Sequence, residues 1–294
     1  MGINSSGAAI MDDAGRGIDH ASLSARDFGR LSSFIYETCG IKMPEVKKTM
    51  LEARLQKRLR SLGMRSFTDY CDYLFAPQGM EQELVPMLDM VTTNKTDFFR
   101  EPDHFDHLTR SVLPDWLKRH GGGTLNIWSA GCSSGEEPYT LAMVLSEFAL
   151  RHPDFDFRIL ATDISTRVLE KAKNAIYAEA LVDPVPLELK KKYLLRSKDR
   201  ASGTVRIVPE LREKIRFRRL NFMDEDFGMR DQLDIIFCRN VIIYFDRPTQ
   251  EKLLQRFHRQ MKPGAFIFMG HSETLSGLDV PLVSVYPTVY RKPK

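Results

Sequence analysis

Apolar positions recur at helical spacing from residue 24 onward. In "SLSARDFGRLSSFIYETCG" Phe28, Leu31, Phe34 and Ile35 share one face, Ser24 and Asp27 form a variant capping box, and Gly40 marks the stop. The stretches "MLEARLQKRLRSLG", "FTDYCDYLF" and "MEQELVPMLDMV" continue in the same way, so residues 23–90 are expected to form a small all-helical domain. Residues 1–22 are small, polar and Gly-rich without periodicity, which predicts a disordered tail. Residues 91–124 read as a linker.

From residue 125 the pattern changes. The runs "LNIWSA", "FRILATDI", "LDIIFCRNVIIYF" and "AFIFMG" are apolar throughout and alternate with the helical stretches "EEPYTLAMVLSEFALRH", "TRVLEKAKNAIY" and "TQEKLLQRFHRQMKPG". Strands buried on both faces and separated by helices predict an α/β domain over 125–294 with a parallel sheet covered on both sides. The closing "LVSVYPTVYRK" reads as a hairpin adding antiparallel strands at the end of the sheet. Between Tyr177 and Asn221 the alternation stops. There "GTVRIV" and "KIRFRRL" are read as strands of a small antiparallel insertion, about 178–219, outside the main sheet.

Composition narrows the class. A chain of 294 residues with 43% hydrophobic and 28% charged residues is long enough for a sizeable core and two domains. No window holds 18 uninterrupted apolar residues and the N-terminus lacks a secretory pattern, so a cytoplasmic location is expected. Met-Gly with Ser6 matches a myristoylation pattern too short to carry weight. Cys39, Cys71, Cys132 and Cys238 are widely spaced without a CxxC pair, which argues against a disulfide framework or a zinc cage and for reduced thiols. A net charge of +4 does not by itself imply nucleic acid.

The candidate chemistry lies in "NIWSAGCSSGEEPYTLA", a strand, a turn with Gly131 and Gly135, and a helix start. Ligands of doubly wound sheets lie at the carboxyl ends of the strands, here Ala130 to Gly135, Asp163, Asn221 and residues 238–240. Pyrophosphate is disfavoured: the spacing is not GxGxxG, no GK[ST] follows, and Glu136 and Glu137 would repel it. Asp163, ending the second strand, is placed to accept from ribose hydroxyls. Taken alone, Glu136 would serve the helix dipole and Asp163 would cap the next helix. At successive strand ends they point to a nucleoside that carries positive charge and no phosphate, as S-adenosylmethionine does.

The motifs "NKTDFFRE" (94–101), "WSAGCSSGEEPYTLAM" (128–143), "ATDIS" (161–165), "FCRNVIIYF" (237–245) and "FMGHSE" (268–273) closely resemble the CheR family of chemotaxis receptor methyltransferases. The resemblance spans roughly residues 24–290. It implies a helical N-terminal domain, a Rossmann-like class I methyltransferase domain with an inserted β-subdomain, and methyl transfer from S-adenosylmethionine to receptor glutamates, leaving S-adenosylhomocysteine. Residues 91–124 would then also cover the cofactor. Cofactor contacts are expected at Asn94, Thr96, Arg100, Glu137, Asp163, Asn221, Phe222, Arg239 and Asn240, with Gly131 admitting a close backbone approach. Ala175 stands where many members have glycine, outside the cofactor motifs.

A glutamate acceptor is ionised at neutral pH, so esterification needs alignment rather than a general base. Arg100 and Tyr244 are the candidate catalytic residues, Arg100 orienting the carboxylate or the cofactor. Considered apart from the motif, Arg100 would be a surface partner of Glu101 or Asp103, and Tyr244 a core or rim residue. Phe98 and Phe99 are expected to pack, Cys132 and Cys238 lack an adjacent base, and His104 with His107 lacks a third ligand, so no metal is expected.

The helix "VKKTMLEARLQKRLRSLG" carries six Lys or Arg against Glu52. Leu51, Leu55, Leu59 and Leu62 form its buried face. Lys47, Arg54, Lys57 and Arg58 are the candidate docking residues for acidic receptor helices, because an uncompensated basic stripe is mildly destabilising. In some family members the β-subdomain pairs with a receptor's C-terminal peptide. A monomer is expected, reaching membranes only through receptors. One other enzyme reading stays open, a methyltransferase for another acceptor, and so does a catalytically silent S-adenosylmethionine sensor. A nucleic-acid module is disfavoured because the basic helix lacks interleaved aromatics.

Overall fold

The computed structural model describes residues 21–293. The expected tail over 1–22 lies almost wholly outside them. Five helices form the N-terminal layer: α1 (Ala25–Cys39), α2 (Lys48–Leu62), α3 (Phe67–Leu74), α4 (Pro77–Gln82) and α5 (Leu84–Val91). Ser24 caps α1 as its spacing predicts, its Oγ accepting from the Asp27 N–H at 3.0 Å and donating to the Asp27 carboxylate at 2.7 Å. Gly40 ends α1 in the left-handed region (φ 73°). Leu31, Ile35, Leu51, Leu55, Phe67, Tyr70 and Leu88 make a separate apolar core.

The residues read as a linker fold instead into α6 (Pro102–His107) and α7 (Leu113–His120), joined by a π-helical turn over Leu108–Val112. Phe105, Leu108, Val112, Leu113 and Trp116 recur every three or four residues and are buried in the core of the sheet domain. Pro114 cannot donate to a carbonyl one turn back, and the wider turn before it accommodates that loss. Buried Asp234 locks α7 to the sheet, accepting from Trp116 Nε1 (3.0 Å), the Asn126 N–H (2.9 Å) and Lys262 Nζ (2.9 Å).

The sheet domain contains β1 (Gly123–Ala130), α8 (Glu136–Ala149), β2 (Phe155–Asp163), α9 (Thr166–Asn174), β3 (Ile176–Ala178), α10 (Leu187–Tyr193), β4 (Leu194–Arg196), β5 (Thr204–Ile207), α11 (Pro209–Arg212), β6 (Ile215–Arg219), β7 (Leu233–Cys238), α12 (Arg247–Gln260), β8 (Met261–Met269), β9 (Val283–Tyr286) and β10 (Val289–Arg291). The strand order is β6-β2-β1-β7-β8-β10-β9. The pairs from β6 to β8 are parallel, and β10 inserts antiparallel between β8 and β9, so the predicted hairpin is present. This is the class I methyltransferase topology, with the strand order reversing between β1 and β7.

The inserted sheet is smaller than expected. It holds β3, β5 and β4, while "KIRFRRL" forms β6, which pairs in parallel with β2 through Ile159 opposite Ile215 to Asp163 opposite Arg219. Ile215 and Leu220 reach the domain core, and that burial draws the stretch into the main sheet. No described helix is long and apolar enough to cross a membrane.

The basic face of α2 is corrected too. Arg58 is not uncompensated: its Nε and Nη2 meet the two carboxylate oxygens of Glu83 at 2.8 and 2.6 Å, and Glu83 is 1% exposed. Arg54 donates to the Val91 carbonyl and to Thr93 Oγ1, stitching α2 to the end of α5. Both arginines are held within the chain. Arg58→Ala would leave Glu83 buried beside Tyr70 without its cation, and urea melts should show a loss of about 2–3 kcal/mol.

Candidate active site

At the β1–β7 switch the sheet and the helical layer enclose a cavity of about 330 Å³. Asn94, Thr96, Arg100, Gly131, Glu137, Asp163, Asn221, Phe222, Arg239, Asn240 and Tyr244 all line it, as does Lys47. The helical domain contributes Cys39, Ile41, Met43 and Met50 to the same wall. That domain is pinned in place by Tyr36 Oη to Asp246 (2.7 Å), Asn221 Nδ2 to the Thr38 carbonyl (2.6 Å), the Lys42 N–H to the Tyr244 carbonyl (3.0 Å) and Thr166 Oγ1 to Asp89 (2.7 Å).

The turn after β1 sets the floor. Gly131 has φ 85°, and a Cβ there would meet Val241 Cγ2 at 2.5 Å, so only glycine allows this approach between two strand ends. The two glutamates that follow diverge. Glu137 faces the cavity, one oxygen accepting from Ser129 Oγ at 2.7 Å and the other lying 3.5 Å from Arg239 Nη1. Glu136 does not line the cavity; it is buried and accepts from Ser134 Oγ at 2.8 Å. Asp163 uses one oxygen for the Ser133 N–H and the other for the Ser165 N–H, both at 2.9 Å, so it braces the start of α9 and faces the cavity at once.

Burial pushes the carboxyls of Glu137 and Asp163 above their ordinary range, against the pull of Arg239 on Glu137 and of backbone N–H groups on Asp163. A cationic ligand offsets that desolvation, whereas an anionic one adds to it. The donor set therefore fits a positively charged nucleoside.

Two carboxylates not singled out in the sequence hold this geometry. Glu101 accepts from Arg239 Nε (3.2 Å) and Nη2 (3.0 Å) with one oxygen, and from the His271 N–H (3.3 Å) and Asn240 Nδ2 (3.4 Å) with the other. Glu101 is thus the partner of Arg239, not of Arg100, and Asp103 pairs with His271 at 3.1 Å. Glu273, 2% exposed, collects four backbone N–H groups, from Gly270 (2.6 Å) and from Asn240, Val241 and Ile242 (2.8 Å each). It fixes the turn after β7 that carries Asn240, Val241 and Tyr244 to the cavity. Both glutamates sit inside the recognised motifs "NKTDFFRE" and "FMGHSE", which was the available signal. Phe99, Glu101, Ser133 and Asn240 all have positive φ (53°, 54°, 48° and 59°), a concentration of strain that surrounding hydrogen bonds maintain.

Arg100 is half-buried and spends one Nη on the Lys95 carbonyl (3.2 Å). Tyr244 lies beneath Lys47, whose Nζ is 5.8 Å from the ring centroid. Phe98 packs edge-on against Tyr177, and Phe99 against Phe105. Burial raises the Cys132 and Cys238 thiols well above their ordinary range, which leaves no thiolate to react. Glu101, His104 and His271 approach within 4.8 Å of one another, but the Arg239 guanidinium already neutralises Glu101 there.

Residues 94–288 match the family model described as "CheR methyltransferase, SAM binding domain", and residues 26–92 match "CheR methyltransferase, all-alpha domain". The chain belongs to the CheR methyltransferase family. It is 39% identical over 275 residues to the chemotaxis protein methyltransferase of Borreliella burgdorferi, covering 92% of this chain and 95% of that one. Chemotaxis protein methyltransferase 2 of Pseudomonas aeruginosa is 40% identical over 264 residues, covering 90% and 92%, and the Escherichia coli protein is 38% identical over 273 residues, covering 92% of each. The cavity therefore lies between the all-alpha domain and the S-adenosylmethionine-binding domain of a CheR-family methyltransferase.

Two measurements probe this site. By calorimetry Glu137→Gln should weaken S-adenosylmethionine binding by about tenfold or more, while Glu136→Gln should stay within about twofold. Burial also pushes His104 down to about 4 from the ordinary 6.5. The folded protein then binds fewer protons than the unfolded chain between those values, so stability falls as pH drops from 6.5 toward 4. Thermal melts of His104→Gln should lose that share of the slope.

Proposed function

We propose that this protein transfers the methyl group of S-adenosylmethionine to glutamate side chains of chemoreceptors, giving methyl esters and S-adenosylhomocysteine. The reading rests on one observation above others: Arg100 and Tyr244 line the same cavity as Glu137 and Asp163. A carboxylate-orienting arginine thus lies beside a compartment built for a cation. The relatives, named chemotaxis protein methyltransferases, support receptors as the substrate class.

When bound, S-adenosylmethionine supplies an electrophilic methyl carbon. Glu137 and Asp163 would hold the positively charged and hydroxylated parts of the molecule, and Arg239 keeps Glu137 facing inward. Arg100 has donors left over after its contact with Lys95, and a planar fork aligns one oxygen of an incoming carboxylate. Tyr244 fixes the other side of that carboxylate through its hydroxyl. Neither residue removes a proton, because the acceptor arrives ionised. Their contribution is alignment and exclusion of water.

Receptor approach falls to the rim of the cavity. Val46 (85% exposed) and Ile243 (47% exposed) lie close in sequence to Lys47 and Tyr244, offering apolar contact beside a positive charge. Lys47 and the exposed Lys57 retain the docking role. Arg58 is neutralised by Glu83, whereas Arg54 donates only to neutral acceptors and keeps its charge for the same role. The three-stranded insertion has β3 and β4 as its outer strands, where a receptor's C-terminal peptide would add a strand.

Incubation with methyl-labelled S-adenosylmethionine and receptor-bearing membranes should label the receptor, and mild base should release the label as volatile methanol. Label that survives base would assign another acceptor group. Arg100→Lys should lower kcat/KM by about 10²-fold, since an ammonium cannot present two parallel donors; wild-type turnover in that variant would remove the orienting role.

A further inference from the structure

At the end of the parallel strands opposite the cavity, one face of the sheet opens as a trough of about 710 Å³. Its walls carry Arg158 from β2, Arg216 and Arg218 from β6, and Arg230 from the loop before β7, against a single carboxylate, Asp231. Leu160 opposes Arg216 in register, which brings Arg158, two residues earlier on the same face, diagonally next to Arg216. Like charges on neighbouring strands repel. The nearby Lys214 is neutralised by Asp156, but none of these four arginines forms an ion pair among the described residues. Arg218 donates both Nη groups to the carbonyls of Phe227 and Gly228, and its buried Nε has no partner.

A concave surface that retains this repulsion is matched to a ligand bringing several negative charges. The charges are also spread out. Arg216 and Arg218 are two positions apart, about 6.6 Å, and Arg158 lies four positions before the level of Arg218, about 13 Å along the strands. A single phosphate meets one such guanidinium. An extended polypeptide, whose alternate side chains repeat at the same 6–7 Å interval, meets them in series, with Leu160, Met229 and Leu233 among the apolar lining. A flat membrane surface does not enter a trough.

We propose that this trough docks an acidic, extended segment of the protein being methylated, holding it at the end of the strands opposite the cofactor cavity. The proposal rests on the glutamate-bearing substrate proposed above. The two sites lie at opposite ends of the same strands, so both are engaged at once when about ten or more residues of chain connect them. Such a tether raises the effective concentration of acceptor glutamates without contributing to the chemistry.

The test is fluorescence anisotropy of labelled octaglutamate with the full-length protein, comparing wild type with the double variant Arg158→Glu, Arg216→Glu. Both positions are exposed and lie outside the cavity. The expected result is salt-sensitive binding that weakens about tenfold or more in the variant, with S-adenosylmethionine affinity and circular dichroism unchanged. With receptor membranes, KM should rise and kcat should hold. Equal binding of octaglutamate by both proteins, or none by either, overturns the proposal. Tighter, variant-sensitive binding of labelled octathymidylate overturns it in favour of nucleic acid. If receptors are not methylated yet octaglutamate binding is lost in the variant, the docking site stands and the acceptor assignment falls.

Discussion

Everything at the strand ends depends on one buried cation. The Arg239 side chain is 2% exposed and joins Glu101 to Glu137, tying the segment before α6, the first turn of α8 and the end of β7 into one network. A buried guanidinium is tolerated only when its donors are matched, and here they are taken by two carboxylates and the Arg100 carbonyl. Because that carbonyl belongs to Arg100, the ion pair also fixes the backbone of the residue proposed to orient the acceptor. Asp163 stands outside that network: its oxygens accept from the Ser133 and Ser165 N–H groups, so it faces the cavity without an ion-pair partner. A sulfonium or ammonium beside it offsets its desolvation, and a phosphate does not.

The second constraint is backbone geometry. Four non-glycine residues around the cavity are held at positive φ, each an unfavourable choice alone. Glu273 shows how the cost is met: one carboxylate gathers four N–H groups that the tight turn after β7 would otherwise bury unpaired. Burial raises the Glu273 carboxyl while those N–H groups pull it down. The helical domain completes the enclosure, since Asn221 spends its amide on Thr38 and the Met223 N–H while its side chain lines the cavity. The cavity wall and domain apposition are therefore linked through the same residue.

What could be read from the chain alone was local. The Ser24 cap, the strand runs and the Gly131 turn follow from spacing and elementary chemistry within a dozen residues, whereas the family resemblance was what set Glu137 apart from Glu136. Two of the misreadings depended on distant partners. "KIRFRRL" alternates as any edge strand does, and its pattern cannot say whether it edges a small sheet or a large one; parallel pairing with β2 decides that. The segment from 102 to 120 was obscured by Pro102 and Pro114, though its apolar spacing was present. Arg58 finds Glu83 25 residues away, and Arg239 finds Glu101 138 residues away, so charge patterning along one helix or one loop could not assign either pair.

The chemistry proposed above explains why specificity must sit elsewhere. An ionised carboxylate meeting an electrophilic methyl group needs alignment and a dry cavity, and any accessible glutamate offers the same functional group. A site of Arg100, Tyr244 and buried carboxylates therefore has little with which to distinguish one glutamate from another. Discrimination has to come from surfaces that read the substrate away from the reacting atoms. Besides the cavity's own rim at Lys47 and Ile243, two proposed surfaces lie clear of it: the outer strands of the inserted sheet and the arginine trough at the other end of the strands. Contacts there hold equally before and during transfer, so they lower KM and leave kcat to the cavity. Dividing recognition from chemistry in this way lets the cavity stay fixed by Arg239 and Glu273 while the outer surfaces adapt to different protein partners.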